Sequence, residues 1–255
     1  MTQRIGLGVL ISGGGTTLEN LITESQAGRL PADVKVVISS RADAYGLIRA
    51  KNHGIDHHVV PSKKYRPSTG LGTPSAGSGP RAESTGSPAP GRGTVSLSNG
   101  RPGEAPDWVG MSAEICHVLD RYEVDLVVLA GFMCQFVISP RYEGRVMNIH
   151  PALIPAFCGP GLYGHKVHEA VLAHGVKVTG CTVHFADQRY DHGPIIIQRP
   201  VPVLDDDTPE TLAQRVFAQE CIAYPEAIRL FAEGRLKVEG RRVLILAPDD
   251  PPAKP

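Results

Sequence analysis

One repeating unit constrains this fold most: a short apolar run of strand length, then a stretch of helical periodicity. Residues 4–12 form the first run, followed by a helical pattern from about 17 to 27. Residues 34–40 and 42–53 repeat the unit, and 57–61 add a short third strand. The most apolar run, DLVVLAGF at 125–132, and the run at 144–150 come next. Strands separated by helices of this length predict an α/β fold: a doubly wound, mostly parallel sheet flanked by helices.

The rhythm changes after Pro151. A loop at 155–163 leads to a helix from about 164 to 173, then to two strands at 177–186 and 194–203 joined by a short polar segment. This predicts an antiparallel C-terminal extension of the sheet. Thr208 suits the N-cap of a long helix, Pro209 its first position, and Thr211 the place where Glu would complete a capping box. That helix should reach Ala232, with Pro225 kinking or breaking it. A small hairpin at 236–246 and a frayed tail at 248–255 close the chain. Residues 67–106, dense in Gly, Pro, Ser and Thr, cannot bury enough surface to offset ordering entropy. The expectation is one domain, residues 1–247, interrupted by a disordered surface insertion at 67–106.

Bulk properties exclude several classes. The 26 basic and 26 acidic residues cancel, and no basic block exceeds Lys63-Lys64, so a nucleic-acid surface has little support. No apolar stretch is long enough for a signal peptide or a membrane span. Five scattered cysteines without a CxxC pair fit reduced thiols, and the expected compartment is the cytoplasm.

Chemistry concentrates in two places. Asn148 and His150 are two apart in the run 144–150, so both side chains share one face of a strand. An imidazole with a carboxylate nearby moves protons near neutral pH, and an amide holds a developing oxyanion. Asp191, in the segment Tyr190-Asp191-His192-Gly193-Pro194, is the candidate carboxylate. The second place is Ser12-Gly13-Gly14-Gly15-Thr16-Thr17, between the first strand and the first helix. Glycines and free N–H groups at a helix start suit a phosphate, although a tight turn explains the glycines equally well. No Gly-Lys-Ser/Thr follows, and Leu18 holds the third glycine position of a dinucleotide fingerprint, so a single phosphate monoester is the better ligand.

With these residues in place, the chain resembles the folate-dependent phosphoribosylglycinamide formyltransferases. The segments carrying the resemblance are LISGGGT at 10–16, SSRADAYGL at 39–47, LAGFM at 129–133, NIHPALIP at 148–155, GCTVHF at 180–185 and DHGPII at 191–196. Residues 67–106 are its main unmatched part. The resemblance implies transfer of formyl from 10-formyltetrahydrofolate, a co-substrate, to the amine of glycinamide ribonucleotide, with no permanently bound cofactor. It implies catalysis by Asn148, His150 and Asp191. It places the ribonucleotide at Gly13, Gly14, Gly15, Thr16, Thr17 and Glu220. It places the folate at Phe132, Met133, Cys134, Gln135, Phe136 and His184, with Thr182 near the site. The expected assembly is a monomer or homodimer, without nucleic-acid or membrane partners. Four departures stand out: Cys134-Gln135-Phe136 where Arg-Ile-Leu is usual, Phe217 where a polar residue is frequent, Cys221 for a histidine, and a loop at 158–165 longer than in many members.

Plainer explanations weigh on each residue. Asp191 alone fits an Asx turn. His184, inside an alternating strand, fits a buried hydrogen-bonded role about as well as a direct one. Phe132 and Met133 fit a core by composition. His57-His58 and the His165/His168 pair lack partners for a convincing metal set, so no metal is expected. Cys158 and Cys181 fit packing better than nucleophilic chemistry. Among rival functions, a formyltetrahydrofolate hydrolase shares the catalytic pattern but usually carries an N-terminal regulatory domain, for which a strand starting at Arg4 leaves no room. A methionyl-tRNA formyltransferase wants a basic surface and a further C-terminal domain. A non-catalytic folate or nucleotide binder would not require the catalytic trio.

Overall fold

The computed structural model of the protein describes residues 4–67 and 105–248. Five strands, β1 (Ile5–Ile11), β2 (Ala32–Ser39), β3 (Asp56–Val59), β4 (Leu126–Leu129) and β5 (Val146–His150), run parallel in the order β3-β2-β1-β4-β5. Next to β5, β6 (Val178–Phe185) and β7 (Ile195–Pro202) pair antiparallel. The hairpin of β8 (Leu236–Glu239) and β9 (Arg242–Ile245) then joins the sheet through β9 beside β7. The sequence predicts the hairpin but not its place in the sheet.

Alternation along β1 shows why both faces are covered. Leu7, Val9 and Ile11 enter one core with α1 (Thr16–Gln26), α2 (Tyr45–Asn52), α4 (His165–Ala173) and α5 (Pro209–Ala232). Leu10 enters the other, with Met111, Ile115 and Leu119 of α3 (Trp108–Leu119) and with Phe136 and Tyr142. Successive side chains of a strand face opposite ways, so a strand buried on both sides must be apolar throughout.

Several expectations change. Helix α2 begins at Tyr45, three residues later than predicted, because Arg41 and Asp43 pair with each other in the preceding turn. Strand β4 ends at Leu129, where Gly131 (φ 74°) turns the chain out of the sheet. Helix α3 is not among the predicted elements. Asp107 caps it, its carboxylate accepting the Gly110 N–H at 2.8 Å. Thr211 closes the capping box that the sequence leaves open, since the Thr208 N–H donates to its hydroxyl at 2.9 Å. Helix α5 also continues through Pro225. Losing one backbone bond there costs about 3 kcal/mol, which the burial of Tyr224, Ala227 and Ile228 around it outweighs at about 1.5–3 kcal/mol per large side chain.

The segment expected to be disordered, 67–106, lies outside the described residues except at its ends, as does most of the expected frayed tail. The flanks of that segment are tied together. The Asp107 N–H donates to the Tyr65 carbonyl at 2.8 Å, and Lys64 pairs with Glu114 of α3 at 2.5 Å.

Candidate active site

The strand order reverses between β1 and β4, and ligands of open α/β sheets bind beyond the carboxyl ends of strands at such a point. Two cavities lie there. The first, of about 280 Å³, is lined by 132–136 after β4, by Asn148 and His150 of β5, by His184 of β6, by the loop 159–164 and by Asp187, Arg189, Tyr190 and Asp191. The second, of about 250 Å³, is lined by Thr17 at the start of α1, by His165 and His168 of α4 and by Val216, Phe217 and Glu220 of α5. Gly131, Met133, Ile149, Pro151 and Gly164 line both, so the cavities adjoin at the end of β5.

Asn148, His150, His184 and Asp191 come together in the first cavity. The His184 Nδ1–H donates to the Phe185 carbonyl at 2.8 Å, so Nε2 carries the lone pair. That nitrogen accepts from Asn148 Nδ2 at 3.2 Å, and Asp191 Oδ1 accepts from the same amide nitrogen at 3.2 Å. Both partners are acceptors, which fixes the orientation of the Asn148 amide. Burial lowers the His184 pKa, in keeping with a neutral ring. His150 is anchored through Nε2, which donates to the Phe157 carbonyl at 2.8 Å. Its Nδ1 then faces Asp191 Oδ2 at 3.6 Å and is the nitrogen free to exchange a proton. The Gly159 N–H holds that same Asp191 oxygen at 3.0 Å.

The backbone aims these groups. Among the described residues, Phe157 (φ 52°) and Asp191 (φ 49°) are the non-glycine residues in the left-handed region. One turns its carbonyl onto His150 and the other turns its carboxylate onto Asn148. Strain of this kind, about 1–3 kcal/mol per residue, persists where the surroundings over-determine the geometry.

The other predicted residues divide. Phe132, Met133, Cys134, Gln135 and Phe136 all line the first cavity. The Gln135 amide donates to the Gln188 carbonyl at 3.0 Å and bridges two walls, and the Met133 N–H donates to Ser12 Oγ at 2.8 Å. Thr17 and Glu220 face the second cavity, whereas Gly13, Gly14, Gly15 and Thr16 are not among its lining residues. Gly13 and Gly14 are exposed in the turn. Gly15 (φ 70°) is buried, and a Cβ there would stand 2.6 Å from the Gly46 Cα. The glycine loop thus has a packing role at Gly15 and an open rim at Gly13 and Gly14. Thr182 is a buttress: its hydroxyl, fully buried, donates to the Ala152 carbonyl at 2.6 Å and accepts from the Ile154 N–H at 3.1 Å. Burial pushes the Cys181 thiol up to about 12, which suits packing and not nucleophilic attack.

Sequence reasoning misses the backbone partners Phe157 and Gly159, and it misses Tyr224. Fully buried on α5, the Tyr224 hydroxyl bonds the carbonyls of Leu129 (3.1 Å) and Met147 (2.9 Å). It sits one turn after Glu220 on the same helix face, so it fixes where Glu220 meets the cavity. Glu220 has no hydrogen-bond or ion-pair partner among the described residues, and burial pushes its carboxyl up to about 7.

The sequence matches the formyl transferase family over residues 7–84 and 93–228. Within the segment 67–106 only 85–92 falls outside that match, so the resemblance reaches further there than the sequence reading allows. A chloroplastic phosphoribosylglycinamide formyltransferase of Arabidopsis thaliana is 34% identical over 92% of this chain and 68% of its own length. The phosphoribosylglycinamide formyltransferase of Escherichia coli (strain K12) is 35% identical over 90% of this chain and 88% of its own. Among solved structures, glycinamide ribonucleotide transformylase 1 of Symbiobacterium toebii superposes with a TM-score of 0.74 at 42% identity, covering 96% of this chain and 95% of that one. A formyltetrahydrofolate deformylase of Pseudomonas syringae pv. tomato shares the fold, with a TM-score of 0.70 at 22% identity over 96% of this chain and 67% of its own.

Proposed function

The chain belongs to the formyl transferase family, and from that premise we propose that it transfers the formyl group of 10-formyltetrahydrofolate to the amine of glycinamide ribonucleotide. The products are formylglycinamide ribonucleotide and tetrahydrofolate, as in de novo purine biosynthesis. The observation that carries this reading is the hydrogen-bonded trio Asn148, Asp191 and His184, with His150 Nδ1 3.6 Å from the Asp191 carboxylate, on the wall of one cavity adjoining a second.

In this reading the folate occupies the first cavity, against 132–136 and Tyr190. The ribonucleotide occupies the second, with its phosphate at the N–H groups that open α1 near Thr16 and Thr17. The amine attacks the formyl carbon, and the C=O electrons move onto oxygen. An N–H of Asn148 stabilises that oxyanion, giving up one of its two present acceptors to do so. The proton lost by the attacking amine is exchanged through His150 Nδ1, which the Asp191 carboxylate faces at 3.6 Å. The intermediate collapses when the bond to the folate nitrogen breaks and that nitrogen takes a proton. One C–N bond forms and one breaks, with no covalent enzyme intermediate. The five free cysteines fit a reducing compartment, and we place the protein in the cytoplasm, as a monomer or homodimer.

The test follows tetrahydrofolate release from formyltetrahydrofolate with and without glycinamide ribonucleotide. Release that depends on the ribonucleotide is the expected result. Release without it identifies a hydrolase, and folate binding with no release in either case identifies a binder.

A further inference from the structure

Asp191 reaches Asn148 and faces His150 from a left-handed backbone (φ 49°), so the segment around it needs restraint. Part of that restraint lies within the segment. Asp187, a wall residue of the first cavity, accepts the Arg189 N–H with one carboxylate oxygen at 2.8 Å and the His192 Nδ1–H with the other at 2.6 Å. One side chain thus ties together the residues on either side of Tyr190-Asp191. Gly193 fixes the exit, because a Cβ there would collide with the Phe185 carbonyl.

The remaining restraint comes from outside. Arg241, in the turn of the β8–β9 hairpin, reaches the same segment with two nitrogens. Its Nη2 donates to the His192 carbonyl at 2.8 Å, and its Nη1 donates to His192 Nε2 at 2.9 Å. The second bond works because Nδ1 carries the ring proton, which leaves the lone pair on Nε2. Arg189 Nη1 stands 3.2 Å from the same nitrogen. Two donors of a planar guanidinium on one residue fix direction as well as distance. The hairpin is placed for this contact. Strand β9 meets β7 at one register pair, Ile195 with Arg242, directly beside it. Within β8 and β9 only Leu236 is buried, so the hairpin adds little core.

We propose that Arg241 is a positioning residue for catalysis: acting through His192, it clamps the segment that carries Asp191 and keeps that carboxylate aimed at Asn148 and His150. This rests on the proposed formyl transfer. Arg241 is not among the lining residues of either cavity, so its effect belongs in kcat and not in ribonucleotide binding.

Steady-state kinetics and urea unfolding of Arg241→Ala, Arg241→Lys, Asp191→Asn and the double variant Arg241→Ala/Asp191→Asn test it. Arg241→Ala should lower kcat about 3–10-fold, the population shift that losing hydrogen bonds of ordinary strength gives. Its KM for glycinamide ribonucleotide should stay within about twofold of wild type, since other elements build the second cavity. Its urea midpoint should fall only slightly, because Arg241 is exposed and surface contacts add little stability. Arg241→Lys, which keeps the charge but loses the fork, should recover part of the kcat loss. Asp191→Asn leaves no carboxylate to aim, so adding Arg241→Ala to it should cost less than about twofold. A kcat of Arg241→Ala within about twofold of wild type sinks the proposal. So does an equal loss with and without the Asp191 carboxylate, which would place the action of Arg241 elsewhere. If Arg241→Ala and Arg241→Lys both lose structure, the contact serves folding and the positioning role is refuted. A wild-type protein that transfers no formyl group overturns the proposed function and this inference together, whereas an active wild type with an unaffected Arg241→Ala overturns this inference alone.

Discussion

The two cavities meeting at the end of β5 hold their polar groups in opposite ways. In the first, each group named in the mechanism is already engaged: Asn148 with Asp191 and His184, Asp191 with the Gly159 N–H, His150 with the Phe157 carbonyl. In the second, His168 Nδ1 and the Glu220 carboxyl have no partner among the described residues. The difference separates two tasks. Groups that meet a changing charge must be oriented before substrate arrives, because reorganising them during the reaction would add to the barrier. Groups that recognise a stable ligand gain most when that ligand supplies the missing partner.

The sharpest way to break this comparison is to remove members of the engaged set. His150→Ala should lower kcat by about 10²–10⁴-fold, the usual contribution of a general acid–base group. Asn148→Ala should cost about 10²–10³-fold, as for one oxyanion donor. Because the Asn148 amide bonds Asp191, the double variant Asn148→Ala/Asp191→Asn should lose less than the product of the single losses. Steady-state kinetics at saturating folate and ribonucleotide decides. Independent losses would mean that the set is not a unit, and losses under about threefold would remove these residues from the mechanism.

A second contrast lies within the glycine loop. Gly15→Ala forces a left-handed backbone and sets a Cβ 2.6 Å from the Gly46 Cα, while a Cβ at Gly13 meets nothing within 4 Å. Gly15→Ala should therefore destabilise the fold by about 1–3 kcal/mol, and Gly13→Ala by less than about 0.5 kcal/mol. Urea unfolding measures both. If Gly13→Ala nevertheless weakens ribonucleotide binding, the exposed rim meets the phosphate. If both variants unfold alike, the packing role assigned to Gly15 is wrong.

What the sequence makes legible follows from the range of the interactions involved. Period-2 patterning and Pro151 place Asn148 and His150 on one face of a strand, a local consequence of strand geometry. The run of strands and helices likewise yields the parallel half of the sheet and its antiparallel extension. The Phe157 carbonyl and the Gly159 N–H are out of reach, because backbone groups leave no trace in side-chain identity. Tyr224 reads locally as an ordinary helix residue, and its role arises only when α5 closes over the sheet. Helix α3 is a different kind of omission. Asp107 before a run with Met111, Ile115 and Leu119 on one face is a legible start signal, but it follows directly on the Gly- and Pro-rich segment. Cavity membership of 132–136 came from resemblance, since composition favours a core, and Cys134 and Phe136 are in fact both buried and cavity-lining.

The unengaged side of the comparison is tested through Glu220. Its carboxyl titrates near 4.5 in the unfolded chain and is pushed up to about 7 in the fold by burial alone. Below the lower value both states are protonated and the shift has no effect on stability. Between the two values the folded state binds more protons than the unfolded one, so stability falls as pH rises. Above about 7 the cost of ionising in the fold is complete. At 1.36 kcal/mol per pH unit the ceiling is about 3 kcal/mol. Water at the open side of the cavity lowers that to roughly 1–2 kcal/mol. Glu220→Gln removes the ionisation and keeps the hydrogen-bonding shape. Its stability gain over wild type should grow from pH 5 to pH 8, as measured by urea unfolding without ligand. A gain independent of pH would mean that packing and not ionisation is responsible. No gain at pH 8 would mean that the carboxylate is already solvated or paired there, and Glu220 would then belong with the engaged groups of the first cavity.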